Sequence, residues 1–241
     1  MFVFTKKDII FYSIMITFVI GATFLPISIT KDKVVTTISK DAFNNFKIVI
    51  DAGHGEPDGG AISKSGVKES ELNLQIAQKV ASKLRDNNFE VIMTRENESN
   101  IAPESEQTQS IRQIKTSDLN NRVKIANESG ASILVSIHMN NFEDSKYRGW
   151  QTFYSKNSED GKKLAENIQK SISECIEYEN KRTALKIEGI KIIDKSAIPA
   201  VIVECGFLSN EEECTLLQDN SYQEKLAEGI KNGIIKYFYY N

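Results

Sequence analysis

KIVIDAGHGEPDGGA, residues 47–61, runs from a β-branched apolar segment straight into a glycine-rich loop with a histidine at its centre. The first part has the composition of a buried strand. The four glycines around His54 let the backbone turn tightly beneath that side chain. Outward from this stretch, short apolar runs alternate with amphipathic helical patterns. FEVIMT (89–94), SILVSI (132–137), WQTFY (150–154) and AVIVE (200–204) are the further strand candidates, with KIIDK (191–195) a weaker one. Leu72, Ile76, Val80 and Leu84 recur every fourth residue and predict one helix between the first two strands. A second spans Asp118 to Ser129, presents Leu119, Val123 and Ala126, and stops at Gly130. A third surrounds Leu164, Ile168 and Ile172, and the last carries Leu226, Ile230, Ile234 and Phe238 behind a Ser221-x-x-Glu224 capping box. Residues 96–117 read as a polar, exposed excursion. Alternation of this kind predicts an α/β domain, a sheet flanked by helices.

Composition agrees with one sizeable core. The 241 residues are 40% hydrophobic and 26% charged with only 4 Pro and 13 Gly, which excludes collagen-like and wholly disordered chains. The formal net charge of −3 lacks the basic excess of a nucleic-acid binder. Cys175, Cys205 and Cys214 are too few for a disulfide framework and lack the spacing of a cysteine zinc site. Cys205 reads as a small buried cysteine without a neighbouring base.

At the N-terminus, IIFYSIMITFVIGATFLPISIT (9–30) is an unbroken uncharged run preceded by Lys6 and Lys7. It predicts a membrane-directed segment over residues 1–30, a signal peptide or a signal anchor; the lack of a small-x-small cleavage pattern favours the uncleaved anchor. Residues 31–45 read as a polar linker, and one domain follows over 46–241, outside the cytoplasm.

There are only two histidines, His54 and His138, and each sits just beyond or at the end of a buried-looking strand. In open α/β sheets ligands bind in the crevice at the carboxyl ends of the strands. Each histidine alone also suits a hydrogen-bonded loop or core position. Glu69 opens the first helix, where the dipole favours a carboxylate. Two imidazoles and a carboxylate with an open fourth position would make a catalytic zinc set. Glu204 ends a very apolar strand, where a carboxylate is costly unless paired, hydrogen-bonded or used; a salt-bridged strand-end glutamate is the plainer alternative.

Several motifs in order carry a resemblance: VIDAGHG with DGGA, KESELNLQIA, VIMTR, DLNNRVKIAN, ILVSIHMNN and PAVIVECGFLSN. Together they resemble the zinc-dependent N-acetylmuramoyl-L-alanine amidases, and SIRQIKTSDLNNRVKIAN further resembles their spore-cortex, CwlD-type branch. The resemblance implies one mixed, largely parallel sheet of about six strands, with a zinc site at the strand C-terminal ends. It implies His54, Glu69 and His138 as ligands of one Zn2+ per chain, Glu204 as the catalytic glutamate, and Asn140 as a residue that shapes the substrate site. The implied activity is hydrolysis of the amide between the lactyl group of N-acetylmuramic acid and L-alanine in peptidoglycan. In the spore branch this step prepares the cortex for muramic-lactam formation and hence germination. An accessory or activator protein at the envelope is a possible partner. Two other readings stay open: a zinc peptidase cutting within the stem peptide, and a non-catalytic wall-binding protein of the same fold. Glu56 departs from the family's usual glycine, and its carboxylate either approaches the metal or points to solvent.

Overall fold

The computed structural model describes residues 46–103 and 110–240; the expected leader (1–30) and linker (31–45) lie outside the described residues. In chain order the elements are β1 (Lys47–Ala52), α1 (Glu69–Arg85), β2 (Glu90–Met93), α2 (Ile111–Glu128), β3 (Ile133–Asn140) and β4 (Gln151–Ser155). There follow α3 (Glu159–Cys175), β5 (Leu185–Ile187), α4 (Lys191–Asp194), β6 (Ala200–Phe207), α5 (Glu211–Gln218) and α6 (Asn220–Tyr240).

The six strands form one sheet in the order β2-β1-β3-β6-β4-β5. β2, β1, β3 and β6 run parallel, while β4 is antiparallel to β6 and parallel to β5. The mixed, largely parallel sheet of about six strands implied by the resemblance is therefore present. From β1 the chain crosses to β2 on one side and then returns past β1 to β3 on the other. The connections diverge between β1 and β3, and at such a switch point α/β sheets open a crevice beyond the strand ends.

Strand alternation sorts the side chains into two cores. Val49, Leu134 and Ile202 form one with Ala126 of α2 and Ile192 and Ile193 of α4. Ile48, Ile50, Val135 and Val203 alternate with that set and are fully buried, as are Ile76, Val80 and Leu84 of α1, Leu164, Ile168 and Ile172 of α3, and Leu226, Ile230 and Ile234 of α6. Phe238 continues the α6 stripe against Phe46, ring centroids 4.4 Å apart. Among the described residues no helix is long and apolar enough to cross a membrane.

Three expectations need correction. KIIDK is a single helical turn, α4, because Ile192 and Ile193 are adjacent yet both belong to one core, whereas adjacent strand residues face opposite ways. The sixth strand is instead Leu185–Ile187, a short edge strand whose Leu185 is exposed. The second helix begins at Ile111, inside the stretch read as a polar excursion: Gln113 Oε1 accepts from the Ser110 N–H at 3.2 Å and its hydroxyl at 2.6 Å, closing the first turn. The last helix starts at Asn220, so Ser221 is not its cap; the Asp219 carboxylate accepts from the Tyr222 N–H at 2.8 Å. Glu224 bridges to α1 through Lys79 and Lys83.

α3 and α6 approach through two glycines. A Cβ on Gly229 would stand 2.6 Å from Ile172 Cα, and one on Gly233 2.4 Å from Ile168 Cα. Alanine gains about 1 kcal/mol over glycine in a helix interior, but forcing two backbones apart costs about 1–3 kcal/mol or more. Gly233→Ala is therefore expected to lose about 1–2 kcal/mol of stability in equilibrium urea denaturation; an unchanged or raised midpoint would contradict this packing.

Candidate metal centre

β1 ends at Ala52 and the chain turns at once. Gly53 lies against the imidazole of His138, where a Cβ would stand 2.2 Å from Nε2. His54 takes φ +62°, the left-handed region that costs a non-glycine residue about 1–3 kcal/mol and persists only where its surroundings hold it. Two buried arginines do so. Arg122, on α2, donates to the Ala52 carbonyl at 2.6 Å and to the His54 carbonyl. Arg95, just past β2, donates to the carbonyls of Ala52 at 2.9 Å, Gly53 at 3.0 Å and Ser70 at 2.7 Å.

The Arg122 charge is met by Asp51 Oδ1 at 2.6 Å and Asp118 Oδ2 at 2.7 Å. Asp51 also accepts from the hydroxyls of Thr94 and Ser136. Burial works against its charge, but Arg122 and the two hydroxyls outweigh that and hold its carboxyl below the usual range.

Above this base the two histidines converge on one carboxylate. Asp58 Oδ2 lies 2.9 Å from His54 Nδ1, leaving His54 Nε2 3.3 Å from Glu69 Oε1. His138 Nδ1 stands 2.9 Å from that same oxygen, and the imidazole centroids are 5.0 Å apart, edge to face. Glu69 is fixed by the N–H groups of Ala61, to Oε2, and Met139, to Oε1. A ligand atom from each of His54, Glu69 and His138 lies within 4.8 Å of the others, a group that could hold a metal ion. Metal–ligand bonds of about 2.0–2.1 Å in a tetrahedron separate neighbouring donors by roughly 3.3 Å, so the donor set fits a small divalent ion. Gly60 completes the cradle: a Cβ there would meet Glu69 Oε2 at 2.6 Å and His54 at 2.7 Å.

The charges follow the contacts. Burial opposes the charge on Glu69, but hydrogen bonds from His138 and His54 outweigh it and hold the carboxyl well below the usual carboxylate range. Burial likewise opposes the His54 imidazolium, yet Asp58 and Glu69 raise its pKa to about 9.

Glu204 stands beside His138 in the β3–β6 register. Among the described residues its Oε2 is buried without a hydrogen-bond partner, and burial pushes the carboxyl up to about 7. Asn140, at the end of β3, lies two residues beyond His138; its carbonyl accepts from the Leu208 N–H at 2.8 Å. Glu56 is kept from the cluster, since its half-exposed carboxylate pairs with Lys68 at 2.5 Å. Cys205 is fully buried, and burial raises its thiol pKa.

Asp51, Asp58, Arg95 and Arg122 were not singled out from the sequence. Asp51 gave the same signal as Glu204, a carboxylate closing an apolar strand. Asp118 and Arg122 gave another, an i,i+4 ion pair on a core-facing helix.

This α/β architecture carries a histidine–glutamate–histidine cluster at its switch point and a half-buried glutamate alongside, the donor set of a catalytic metal site. The chain belongs to the N-acetylmuramoyl-L-alanine amidase family, whose profile matches residues 48–236. It is 39% identical over 191 residues to the germination-specific N-acetylmuramoyl-L-alanine amidase of Bacillus subtilis, covering 79% of each chain. The CwlD amidase from Clostridioides difficile, solved in complex with the GerS lipoprotein, is 41% identical with a TM-score of 0.79, covering 82% of this chain and all of that one. The catalytic domain of CwlV from Paenibacillus polymyxa is 30% identical with a TM-score of 0.69, over 81% and 99% of the two chains.

Removing one partner of a buried ion pair leaves an uncompensated charge, at a cost of about 3–5 kcal/mol. Arg122→Leu is expected to destabilise the fold by that amount in urea denaturation, and adding Asp51→Asn should recover part of it. A loss under about 1 kcal/mol would show that the pair does not hold the loop.

Proposed function

We propose that this chain is a zinc-dependent N-acetylmuramoyl-L-alanine amidase that cuts the bond between the lactyl group of N-acetylmuramic acid and L-alanine during spore-cortex maturation. The observation that carries this is the convergence of His54, Glu69 and His138 on one point beside Glu204, whose buried Oε2 has no hydrogen-bond partner among the described residues. The similarity to the germination-specific amidase supports the cortex role. Residues 46–241 are then the catalytic domain, placed outside the cytoplasm by the leader at 1–30 and the linker at 31–45. The GerS complex of the C. difficile amidase supports an accessory protein for this chain as well.

His54, through Nε2, Glu69 and His138 would hold the zinc. When bound, the ion supplies Lewis acidity, polarising the scissile carbonyl and lowering the pKa of water toward about 7. Asp58 keeps His54 in the tautomer that leaves Nε2 free as a donor. Glu204 accepts a proton from the attacking water and returns it to the departing amine of L-alanine. Burial raises its carboxyl from the usual carboxylate range toward neutrality, where a proton can be both taken and returned. Asn140, at the strand end, would shape the substrate groove.

Two measurements test this reading. Below about pH 9 the metal-free His54 carries a proton that zinc must displace. Zinc affinity, measured by competition with a chromophoric chelator, should therefore rise up to about tenfold per pH unit toward that value, with proton release visible in calorimetry. An affinity independent of pH from 6 to 8 would argue against His54 as a ligand. Separately, Glu204→Gln should lower kcat by about 10²-fold or more while zinc remains bound. Mass spectrometry of digested peptidoglycan should reveal new N-terminal L-alanine with the wild-type chain; an internal peptide end would identify a stem-peptide peptidase instead.

A further inference from the structure

Beside Glu204, toward β4, stands a cation with no anionic partner among the described residues. Gln151 stands opposite Glu204 in the β4–β6 register, and Phe207 opposite Asn140 in the β3–β6 register. The β3–β6 register shifts between His138–Glu204 and Asn140–Phe207, which brings Phe207 to the Glu204 face although the two are three residues apart. Arg182, from the segment between α3 and β5, lies over both. Its Nη1 donates to Gln151 Oε1 at 3.0 Å and its Nε to the Arg148 carbonyl at 2.8 Å. Its guanidinium stands 4.7 Å from the Phe207 ring centroid and 5.9 Å from that of Tyr147.

The other cations around the site are accounted for. Arg122 is matched by Asp51 and Asp118, Arg95 by backbone carbonyls, and Lys115 by Asp58. Arg182 is half-buried, held on two sides by hydrogen bonds and on its face by aromatic rings, yet among the described residues no carboxylate lies within ion-pair distance of it. A guanidinium has five N–H donors in a planar fork, and the bonds to Arg148 and Gln151 use two of them, which leaves three, both of those on Nη2 included, for an incoming anion. Stacking on rings fixes the plane in which a carboxylate could be met bidentately.

Resting on the amidase reading above, we propose that Arg182 determines specificity by binding a carboxylate in the peptide limb of the substrate. Adjacent strands are about 4.8 Å apart, and Arg182 reaches the side chain one strand from Glu204; the gap to the scissile bond is then roughly 5–10 Å, or two to three residues of extended peptide. The carboxylate belongs to the residues that directly follow L-alanine. The glycan, which is uncharged at its hydroxyls, does not meet this requirement.

The test uses zinc-loaded full chain carrying Glu204→Gln, so that ligand is held uncut, and two probes: an N-acetylmuramoyl tetrapeptide, and the same compound with every carboxylate amidated. With Arg182 present, the acid should bind about tenfold or more tightly than the amide by calorimetry. Arg182→Gln should bring the acid to the Kd of the amide without changing the amide's own, and Arg182→Lys should keep part of the preference. Equal affinities with Arg182 in place, a preference that survives Arg182→Gln, or no binding of either compound would each overturn the proposal. Hydrolysis of the lactyl–alanine bond by the chain with Glu204 intact is read separately. The amidase reading can thus stand while this inference fails, or fail while the binding preference remains.

Discussion

The ion pair between Asp51 and Arg122 is the constraint on which the site depends. Burying two charges costs several kcal/mol per ion, and close geometry with further hydrogen bonds is needed to offset it. Both conditions are met: Asp51 receives two hydroxyls besides Arg122, and Arg122 receives Asp118 and two carbonyls besides Asp51. Its consequence lies in the backbone. The carbonyls of Ala52, Gly53 and His54 leave the strand just where the chain turns, and buried carbonyls require partners. Arg122, Arg95 and Asn73 provide them, so the left-handed turn at His54 is held from beneath by side chains of two helices and of the segment just past β2.

On that base one carboxylate organises the donors. Glu69 sits at the N-terminus of α1, where the helix dipole favours negative charge, and its two oxygens gather two N–H groups and both imidazoles. Glu204 is the same residue type a short distance away with the opposite character. It has an oxygen without a partner, and burial pushes its carboxyl up to about 7, whereas Glu69 is held well below the usual range. Two carboxylates separated in this way suit two roles, one to remain charged and hold a cation, the other to exchange a proton.

Most of the fold was legible because burial leaves a periodic trace. The β1, β3 and β6 cores are continuous β-branched runs, and Leu72, Ile76, Val80 and Leu84 are a four-residue repeat with no competing pattern. The misread segments are those where periodicity is short or polar. KIIDK is β-branched yet helical, because two adjacent isoleucines must enter one core. The first turns of α2 are too polar to announce a helix and are held by Ser110 and Gln113. Leu185–Ile187 is an edge strand of three residues with little to bury.

The sequence by itself determined which residues are available for chemistry. With only two histidines in the chain, a catalytic site with two imidazole ligands has to use both, and a glutamate closing an apolar strand needs a reason to be there. It also determined the α/β alternation that sends those residues to strand ends. Only the tertiary structure decided how they meet: the β1–β3 divergence that opens the crevice, the shared register of His138 with Glu204, the arginines beneath the loop, and the pairing of Glu56 with Lys68 away from the cluster. The physical reason is range. Periodicity and turn chemistry act over a few residues, whereas a carboxylate's charge state and a cation's lack of a partner depend on groups brought together from distant parts of the chain.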